Sequence, residues 1–440
     1  MSSPGFHRIR ANLVWLAADR GLRLVVNVVV LGLVARHLGP EQFGWMNYAV
    51  GLAGIFAPVA TLGMDGIVIR ELVANPRRSA TTLGTAFVLR LAGGLGAVGL
   101  VVVAAWWTRD GAVIAPLALV AALVFLPQSL DVIDLWFQRQ VQSKFTVLAR
   151  AVALLVGAGL KIALVVYWRA PVLAFCGALV ADAVLGAVAL VWMYGRRGER
   201  IFDWRVSRAA AVNLLRQSWP LILSGLLVAG YLRVEQLLVM ERLGSRSAGI
   251  YYAAVRITEI WLFVPGLILS SSYPLLLEKR VHDRAGYEAW LQRLFDGLTG
   301  LGYVVALGAG LLGPWVIRWL YGAEYADAAV ILMILGLAAP VIFSGSVRAQ
   351  YFMLENLNLY HTWSALVGIA VNVGLAWWLM TVWGAAGAAT GAVAGYLVSA
   401  VGTSLVFPAL RRCGGLQVRA LLLPLRPGAV REYWRQYREA

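Results

Sequence analysis

The sequence contains very little cysteine. Its 440 residues include two cysteines, Cys176 inside an apolar run and Cys413 near the basic C-terminal end. Cysteines placed in this way predict no disulfide and no cysteine-ligated metal site. The sequence also lacks a zinc-ligand cluster, a glycine-rich phosphate loop and a nucleophile motif. We therefore expect no metal, no cofactor and no catalytic residue, which argues against an enzyme.

Charged residues are scarce as well. They make up 14% of the chain, whereas 60% of its residues are hydrophobic; soluble domains have roughly 45–50% apolar residues. The charge that remains is unbalanced, with 38 Lys and Arg against 22 Asp and Glu. In a membrane protein this excess indicates cytoplasmic loops that follow the positive-inside rule rather than a nucleic-acid partner. The composition predicts an all-α polytopic membrane protein.

Apolar runs of about 20 residues, the length needed to cross a bilayer, recur along the chain. We predict about twelve transmembrane helices, at 12–35, 43–64, 80–107, 112–133, 145–167, 170–194, 215–240, 249–274, 290–320, 327–350, 359–381 and 384–409. With the N-terminus in the cytoplasm, 26 of the 38 basic residues fall in cytoplasmic segments and 6 in outer segments. This asymmetry favours a multi-pass protein with both termini in the cytoplasm.

The longest polar loop, at about residues 195–216, divides the chain into two halves. We predict an N-terminal six-helix lobe at 1–195, a cytoplasmic linker at 196–214, a C-terminal six-helix lobe at 215–410 and a basic cytoplasmic tail at 411–440. One spacing pattern recurs at the same place in both halves: Leu38-Gly39, Gly44 and Ala49-Val50 match Leu243-Gly244, Gly249 and Ala254-Val255. We expect two lobes related by an axis along the membrane normal, around a central cationic cavity.

Ionisable residues lie in the middle of the first apolar run. Asp19, Arg20 and Arg23 fall within about 100° of one another on a helix, and Asn27 lies on the same face, so they form one polar stripe. A charge at mid-bilayer costs on the order of 3 kcal/mol or more, so the stripe should face a protein interior or a water-filled cavity. Asp19 and Arg23, four residues apart, could instead neutralise each other.

Further ionisable residues lie within the other predicted spans. The basic ones are Arg90, Lys161, Arg233 and Arg256, and the acidic ones are Asp182, Glu235 and Glu259. Together with the first stripe they leave an excess of two positive charges, so pairing cannot neutralise them all. A cationic cavity suits an anionic load, and guanidinium groups bind phosphate oxygens bidentately.

Structural roles stay open for several of these residues. Lys161 can reach the outer interface, or Asp182 on the next helix can neutralise it. Arg256 and Glu259 are three residues apart and can form an intrahelical pair. The carboxylates within the spans are either counter-ions of arginine or sites for a coupling cation: Asp19, Asp182, Glu235 and Glu259.

Four stretches of the sequence resemble a known family. They are VARHLGPEQFGWMNYAV from Val34 to Val50, LGMDGIVIREL from Leu62 to Leu72, SWPLILSGLL followed by YLRVEQLLVMERLGSRSAGIYYAAVRITE through Glu259, and LYGAEYADAAVILMIL from Leu320 to Leu335. Their pattern is similar to that of the polysaccharide-transporter branch of the multidrug/oligosaccharidyl-lipid/polysaccharide exporter superfamily, the O-antigen (Wzx-type) flippases. The stretches lie in both halves of the chain.

This resemblance implies a two-lobed bundle of twelve helices with a V-shaped cavity and no ATP site. The load it implies is an undecaprenyl-diphosphate-linked oligosaccharide that is flipped across the bacterial inner membrane, and contacts with other polysaccharide-assembly proteins stay open. Family members commonly have cationic residues in the lumen, and the positions that fit are Arg20, Arg23, Arg90, Arg233 and Arg256. Glu235 stands where the family often has an aspartate, which keeps the charge.

Three other functions compete with this one. A cation-coupled multidrug exporter of the same superfamily has the same architecture, but its load is often cationic, and a lining of net positive charge disfavours it. A lipid II-type flippase carries a chemically similar load, but that group usually has extra C-terminal helices. A membrane polysaccharide polymerase or glycosyltransferase needs large outer loops or a cluster of catalytic aspartates, and the sequence shows neither.

Overall fold

The computed structural model describes the backbone of residues 4–140 and 143–425, and these residues form helices joined by short loops. Side chains are described from residue 26 onward, except at 141–145, 148–149, 358 and from 425 to the end. The chain divides into two compact units, Met1–Gly249 and Ile250–Ala440, which we call the N-terminal unit and the C-terminal unit. The all-α class predicted from composition is confirmed.

Ten helices belong to the N-terminal unit within the described residues. They are α1 (Pro4–Thr61), α2 (Asp65–Ala74), α3 (Ser79–Trp106), α4 (Gly111–Ala122), α5 (Phe125–Gln128), α6 (Val132–Arg139), α7 (Ser143–Val166), α8 (Val172–Gly195), α9 (Arg208–Tyr231) and α10 (Val234–Leu243). Single 3₁₀ turns at Pro76–Arg78, Ser129–Asp131 and Ile201–Asp203 separate some of them.

The next helix, α11 (Ser245–His282), begins five residues before the boundary and continues into the C-terminal unit. The helices that follow are α12 (Arg284–Leu320), α13 (Ala328–Leu337), α14 (Ala339–Leu354), α15 (Asn358–Leu397), α16 (Thr403–Val406) and α17 (Arg411–Leu421). A π-helical turn at Val398–Gly402 joins α15 to α16.

Seven helical segments of the described chain are long and apolar enough to cross a membrane, or up to nine if each bent helix pair is one span. The bent pairs are α9 with α10, at 51°, and α13 with α14, at 42°. Only 17 to 44% of the most apolar window of each segment is buried inside the protein. The remaining apolar side chains need a lipid environment, because soluble proteins rarely expose apolar patches of this extent. The structure is that of a multi-pass membrane protein.

Two of the longest helical segments contain a break where the sequence predicts a loop between spans. Gly39, with φ of 70°, interrupts α1, and Gly384, with φ of 55°, interrupts α15. In α15 the chain folds back at this break. A Cβ on Gly391 would lie 2.5 Å from the backbone nitrogen of Ala376, and one on Gly395 would lie 2.6 Å from the Cβ of Asn372. These contacts show two antiparallel helices, which agree with the predicted spans 359–381 and 384–409.

The recurring glycine pattern forms a close helix crossing inside the N-terminal unit. A Cβ added to Gly44 would overlap the carbonyl oxygen of Ser245, and one added to Gly249 would overlap the carbonyl oxygen of Pro40. Gly44 and Gly249 also face each other. The contact is reciprocal, because Ser245 occupies in the second repeat the place that Pro40 occupies in the first. Small residues allow such backbone contact between membrane helices.

A hydrophobic core near one end of the N-terminal unit joins α2, α3, α6, α8 and α9. The face of α2 that carries Ile67, Val68 and Leu72 is buried against Trp136 and Tyr194, among others. The rings of Trp136 and Tyr194 meet edge to face at 5.1 Å. This core holds one end of α8, which also lines the cavity described below.

The C-terminal unit has its own core, between α11, α12, α14 and α17. Cys413 and Ala420, on one face of α17, are fully buried there with Phe295 and Phe343. Residues 411–421 thus form a packed helix, although they lie in the segment that the sequence assigned to a basic tail. The part of that segment beyond residue 425 lies outside the described residues.

Arg348 is buried at the π-helical turn of the C-terminal unit. Its exposed fraction is 3%, although hydropathy places it at the cytoplasmic end of the predicted span 327–350. Its Nη1 donates hydrogen bonds to the carbonyl oxygen of Ala400 at 3.0 Å and to the hydroxyls of Thr403 and Ser404 at 3.0 and 2.8 Å. A π turn displaces backbone hydrogen bonds. The guanidinium supplies a donor to a carbonyl in this turn.

Candidate functional site

A cavity of about 610 Å³ lies within the N-terminal unit, between α1, α4, α5, α7 and α8. Most of its wall consists of small and apolar side chains, among them Ala53, Ala57 and Leu154. Six polar or charged residues interrupt this wall: Asn27, Gln128, Asp131, Arg150, Asp182 and Arg233. A mostly apolar concave site with a few convergent polar groups is the usual form of a ligand site.

Arg233 enters the cavity wall from the break between α9 and α10. It precedes the first residue of α10, where the helix direction changes by 51°. Gly54 of α1 makes room for it, since a Cβ on Gly54 would lie 2.8 Å from Nε and 2.9 Å from Cζ of Arg233. Discontinuous membrane helices often place ligand-binding groups at the break. The sequence predicted that Arg233 lines a lumen between two lobes, and its role stays a proposal.

Arg150 is the second cation of the cavity wall, and aspartates hold it in place. Its Nη2 lies 2.9 Å from the carboxylate of Asp134 and 3.6 Å from that of Asp131. Asp134 also accepts a hydrogen bond from Gln138 at 3.1 Å. The network joins α7 to α6 and to the preceding 3₁₀ turn. The guanidinium of Arg150 is therefore oriented before any ligand arrives.

Asp182 lies in the cavity wall and forms an ion pair with Lys161 of the adjacent helix. The structure thus shows the neutralising pair that the sequence left open. Gly157, one turn before Lys161 on α7, leaves the space that the carboxylate occupies, because a Cβ there would overlap Oδ1 of Asp182. That oxygen is buried and accepts no hydrogen bond within the described residues. The pair is only partly exposed, at 14% for the Lys161 side chain and 27% for that of Asp182.

Arg90 does not reach this cavity. Its side chain is 3% exposed and pairs with Asp65 at the start of α2. We expected Arg90 to line the lumen, and the structure places it instead in the packing beside α2, with Asp131 and Asp134 as further charged neighbours. Its Nε is buried without a hydrogen-bond acceptor among the described residues, so its neighbours hold it by packing as well as by charge.

The remaining predicted residues fall into four groups. Asn27 lines the cavity, as its place on the stripe of α1 predicts. Arg256 and Glu259, on α11 in the C-terminal unit, form the intrahelical pair that their spacing allows, with 2.9 Å between Nη1 and Oε2. Glu235 follows Arg233 by two residues on α10, is half-buried, and does not line this cavity. The side chains of the other three lie outside the described residues: Asp19, Arg20 and Arg23.

The sequence did not predict three of the polar residues in the cavity wall. Arg150 was assigned to a cytoplasmic segment, and Gln128 and Asp131 were not considered as candidates. All three lie at the cytoplasmic ends of predicted spans, where charged residues are common and carry little functional information. A signal was present in the Asp131 and Asp134 spacing of three, which puts both carboxylates on one face of the chain.

The formal charges of this wall balance among the residues whose side chains are described. Arg150 and Arg233 oppose Asp131 and Asp182, whereas the sequence led us to expect a net positive lining. The arginines can bind phosphate or carboxylate oxygens, the amides of Asn27 and Gln128 can bind hydroxyl groups, and the apolar wall can contact a hydrocarbon or sugar face. Such a site suits a ligand that is anionic at one point and polar over a larger surface.

Comparison with solved structures defines the class of fold. The chain is similar to an inward-facing multidrug resistance MATE family transporter of the MOP superfamily, with a TM-score of 0.71, 17% identity, and coverage of 92% of this chain and 99% of the other. It is also similar to the inward closed lipid II flippase MurJ, with a TM-score of 0.64, 14% identity, and coverage of 93% and 91%. A MOP superfamily transporter from Pyrococcus furiosus matches with a TM-score of 0.58, 14% identity, and coverage of 92% and 96%. The protein has the fold of MOP superfamily transporters.

The family follows from a second comparison. The model of a family described as polysaccharide biosynthesis protein matches residues 33–330, which is more than half of the chain. The chain belongs to this family, as the resemblance of the four sequence stretches predicted. No curated protein matches the chain.

Proposed function

We propose that this protein is a flippase that moves an undecaprenyl-diphosphate-linked oligosaccharide from the inner to the outer leaflet of the bacterial inner membrane. Membership of the polysaccharide biosynthesis family and the transporter fold support this proposal. The lipid II flippase among the similar structures carries a related kind of load by its name. Translocation requires no covalent step, so the proposal invokes no catalytic residue.

The observation that carries the proposal is the position of Arg233. Its guanidinium stands at a break between two membrane helices and passes Gly54 into a cavity inside the N-terminal unit. Keeping an ionised group at membrane depth costs free energy, and such residues usually face a substrate path. A guanidinium fork matches the paired oxygens of a diphosphate. We assign the diphosphate of the load to Arg233, with Arg150 as the second cation.

The cavity suits the head of the load and not its tail. The sugar hydroxyls would bind the amides of Asn27 and Gln128 and the carboxylates of Asp131 and Asp182. The polyprenyl chain would stay in the lipid, because burying so long a hydrocarbon in protein gains nothing over leaving it among acyl chains. Alternating access of the cavity to the two sides of the membrane then moves the head. Arg20 and Arg23 stay proposed contacts for the inward-facing state.

A specific observation favours a second function. With Asp131 and Asp182, the described part of the cavity wall has as many negative as positive groups. A cation-coupled exporter would use such carboxylates for a proton or sodium ion, and its load is often cationic. The ion pairs of Asp182 with Lys161 and of Asp131 with Arg150 favour the flippase, since both carboxylates already have a cationic neighbour.

Proteoliposomes containing the purified protein would distinguish the two functions. One arm measures transbilayer movement of a labelled undecaprenyl-diphosphate oligosaccharide. The other measures uptake of a lipophilic cationic dye under an imposed proton or sodium gradient. Movement of the glycolipid without dye uptake supports the flippase, and dye uptake without glycolipid movement overturns it.

The same assay tests the role of Arg233. Arg233→Gln should slow glycolipid movement by about 10- to 100-fold, as expected for the loss of a charged hydrogen bond worth roughly 1.5–3 kcal/mol. Arg246→Gln is the matched control, because it removes the same charge from an exposed position on α11 outside the cavity wall. Equal rates for the two variants at equal protein abundance would show that Arg233 does not bind the substrate.

A further inference from the structure

The loop between α8 and α9, residues 196–207, is held against the side of the helix bundle. The backbone nitrogen of Arg205 donates a hydrogen bond to the carbonyl oxygen of Ala80 at 3.2 Å. The backbone nitrogen of Ser207 donates another to the hydroxyl of Thr85 at 3.1 Å. Thr85 lies six residues into α3, about 9 Å from the start of that membrane helix at 1.5 Å per residue. The loop therefore runs beside the first turns of a span.

Aromatic packing fixes the same loop against a second span. The ring of Trp204 lies 5.6 Å from that of Phe87 on α3 and 6.0 Å from that of Tyr194 at the end of α8. Its Nε1 donates a hydrogen bond to the hydroxyl of Tyr194 at 3.2 Å. Gly84 lets the chain come this close, since a Cβ there would lie 2.6 Å from the carbonyl oxygen of Arg205. These contacts set the depth of the loop at the level where two membrane helices end.

The fixed loop presents one apolar face outward. Ile201 and Trp204 point to the hydrophobic core, whereas Phe202 is 92% exposed and Val206 is 62% exposed. Three exposed arginines lie close to this pair in the sequence, Arg200, Arg205 and Arg208, and outnumber the exposed acidic residues Glu199 and Asp203. An aromatic side chain so fully exposed on a loop that is otherwise anchored by hydrogen bonds is not explained by packing within the N-terminal unit.

We propose that the α8–α9 loop is a lipid-binding surface of the cytoplasmic leaflet. Phe202 and Val206 enter the region between headgroups and acyl chains, where aromatic side chains are favoured. Arg200, Arg205 and Arg208 bind the phosphates of anionic headgroups, to which basic juxtamembrane segments are attracted. The proposal rests on the cytoplasmic orientation of this loop, and it does not depend on the load that the protein carries.

The depth and composition of the loop favour lipid over a protein partner. The contacts with Ala80, Thr85 and Tyr194 keep it beside the span ends, within reach of headgroups. The exposed apolar groups are one phenyl ring and one isopropyl group among guanidinium groups. Cores of stable protein interfaces are larger and are depleted of charge.

The test uses the full-length protein in nanodiscs and a single environment-sensitive fluorophore. Phe202→Cys is labelled with a maleimide dye, which is feasible because Cys176 and Cys413 are buried. The nanodiscs contain phosphatidylcholine alone or with phosphatidylglycerol. Quenching is measured with phospholipids brominated on their acyl chains and with aqueous iodide. Glu199→Cys, exposed three residues earlier, is the reference position.

Insertion predicts that brominated lipid quenches the dye at 202 at least about twofold more strongly than the dye at 199. It also predicts protection from iodide that grows when phosphatidylglycerol is present. Adding Arg200→Gln and Arg208→Gln should remove this dependence on anionic lipid. Arg411→Gln with Arg419→Gln, two exposed charges on α17, should leave it unchanged.

Several results would overturn the proposal. Iodide quenching of the dye at 202 that equals quenching at 199 in both lipid mixtures would place Phe202 in water. Protection that appears only after addition of cytosolic protein would show that the loop binds a protein. Because Phe202 is almost fully exposed, its substitution should leave the thermal melting of the protein unchanged, so a folding defect does not obscure these outcomes.

Discussion

Two arginines within membrane helices show how differently one residue type can be used. Arg233 lies in a cavity wall at a helix break, whereas Arg90 is buried between helices with Asp65. Both occupy apolar runs, and the sequence alone predicts the same role in the lumen for both. The difference follows from what lies opposite each side chain: Gly54 leaves space beside Arg233, and the start of α2 brings a carboxylate to Arg90.

Arg90 should therefore contribute to stability rather than to transport. We expect Arg90→Leu to lower stability by about 1–3 kcal/mol, since it removes a buried guanidinium that is hydrogen-bonded to the exposed carboxylate of Asp65 and lies near Asp131 and Asp134. Flux per folded molecule should stay within about twofold of the wild type. Thermal melting in detergent and glycolipid movement in proteoliposomes measure the two quantities. Arg77→Gln, at an exposed position before α3, is the control. Loss of flux in Arg90→Leu without loss of thermal stability would show that Arg90 acts in transport.

At the scale of elements, the glycine crossing is a close backbone contact between the two copies of the recurring pattern. Gly44 meets Ser245, and Gly249 meets Pro40. Gly44→Val and Gly249→Val should each destabilise the protein by several kcal/mol, because a side chain there would overlap a carbonyl oxygen of another helix rather than a flexible side chain. Gly96→Val on α3 is the matched control, since nothing lies within 4 Å of a Cβ at that position. If Gly96→Val lowered the melting temperature as much as the other two substitutions, the result would contradict the close crossing.

The π-helical turn of the C-terminal unit depends on Arg348. Three oxygen atoms accept hydrogen bonds from one nitrogen of this side chain, and its guanidinium carbon lies 4.7 Å from the centre of the Phe352 ring. We expect Arg348→Met to cost about 1–3 kcal/mol, because two buried hydroxyls lose a charged donor and the carbonyl oxygen of Ala400 keeps only the hydrogen bond from Ser404. Arg348→Lys should restore part of this loss. Melting temperatures of the two variants measure it, and equal values would show that the charge is dispensable here.

At the scale of the whole molecule, the loop charges predict which loops face the cytoplasm. Arg109→Cys, in the exposed loop between α3 and α4, should react with a membrane-impermeant maleimide added to intact cells. Arg197→Cys, in the loop between α8 and α9, should react only after permeabilisation. The reverse pattern would invert the topology and place the proposed lipid-binding loop at the outer surface.

The native cysteines should not disturb this measurement. Burial raises the pKa of the Cys413 thiol from 9.0 to about 12, although the nearby Arg348 opposes the shift. The thiolate is the form that reacts with maleimides. A raised pKa means that this thiol is protonated at pH 7–8 and becomes reactive only as the pH approaches 12. Cys176 is also fully buried, so unmodified wild-type protein should show little labelling.

The sequence by itself determined the class of the protein and much of its outline. Apolar run lengths predicted a multi-pass helical protein, and the predicted span boundaries lie at or next to the breaks that the structure shows at Gly39 and Gly384. The four motifs predicted the family. These properties are local, because a run of about 20 apolar residues must cross a bilayer wherever the rest of the chain lies. The predicted domain boundaries at 195, 215 and 410 stay predictions.

Tertiary structure alone decided which ionisable groups meet. It paired Arg90 with Asp65 and Lys161 with Asp182, and it brought Arg150 into a cavity wall. The sequence could not fix these pairings, because the lipid-facing and protein-facing sides of a membrane helix are both apolar. Hydrophobic periodicity shows which face of a helix is buried in a soluble protein. In a membrane helix it gives little information about which face contacts protein. The facing of each charge depends instead on close packing at positions such as Gly54 and Gly157, where a missing side chain lets a charged one enter.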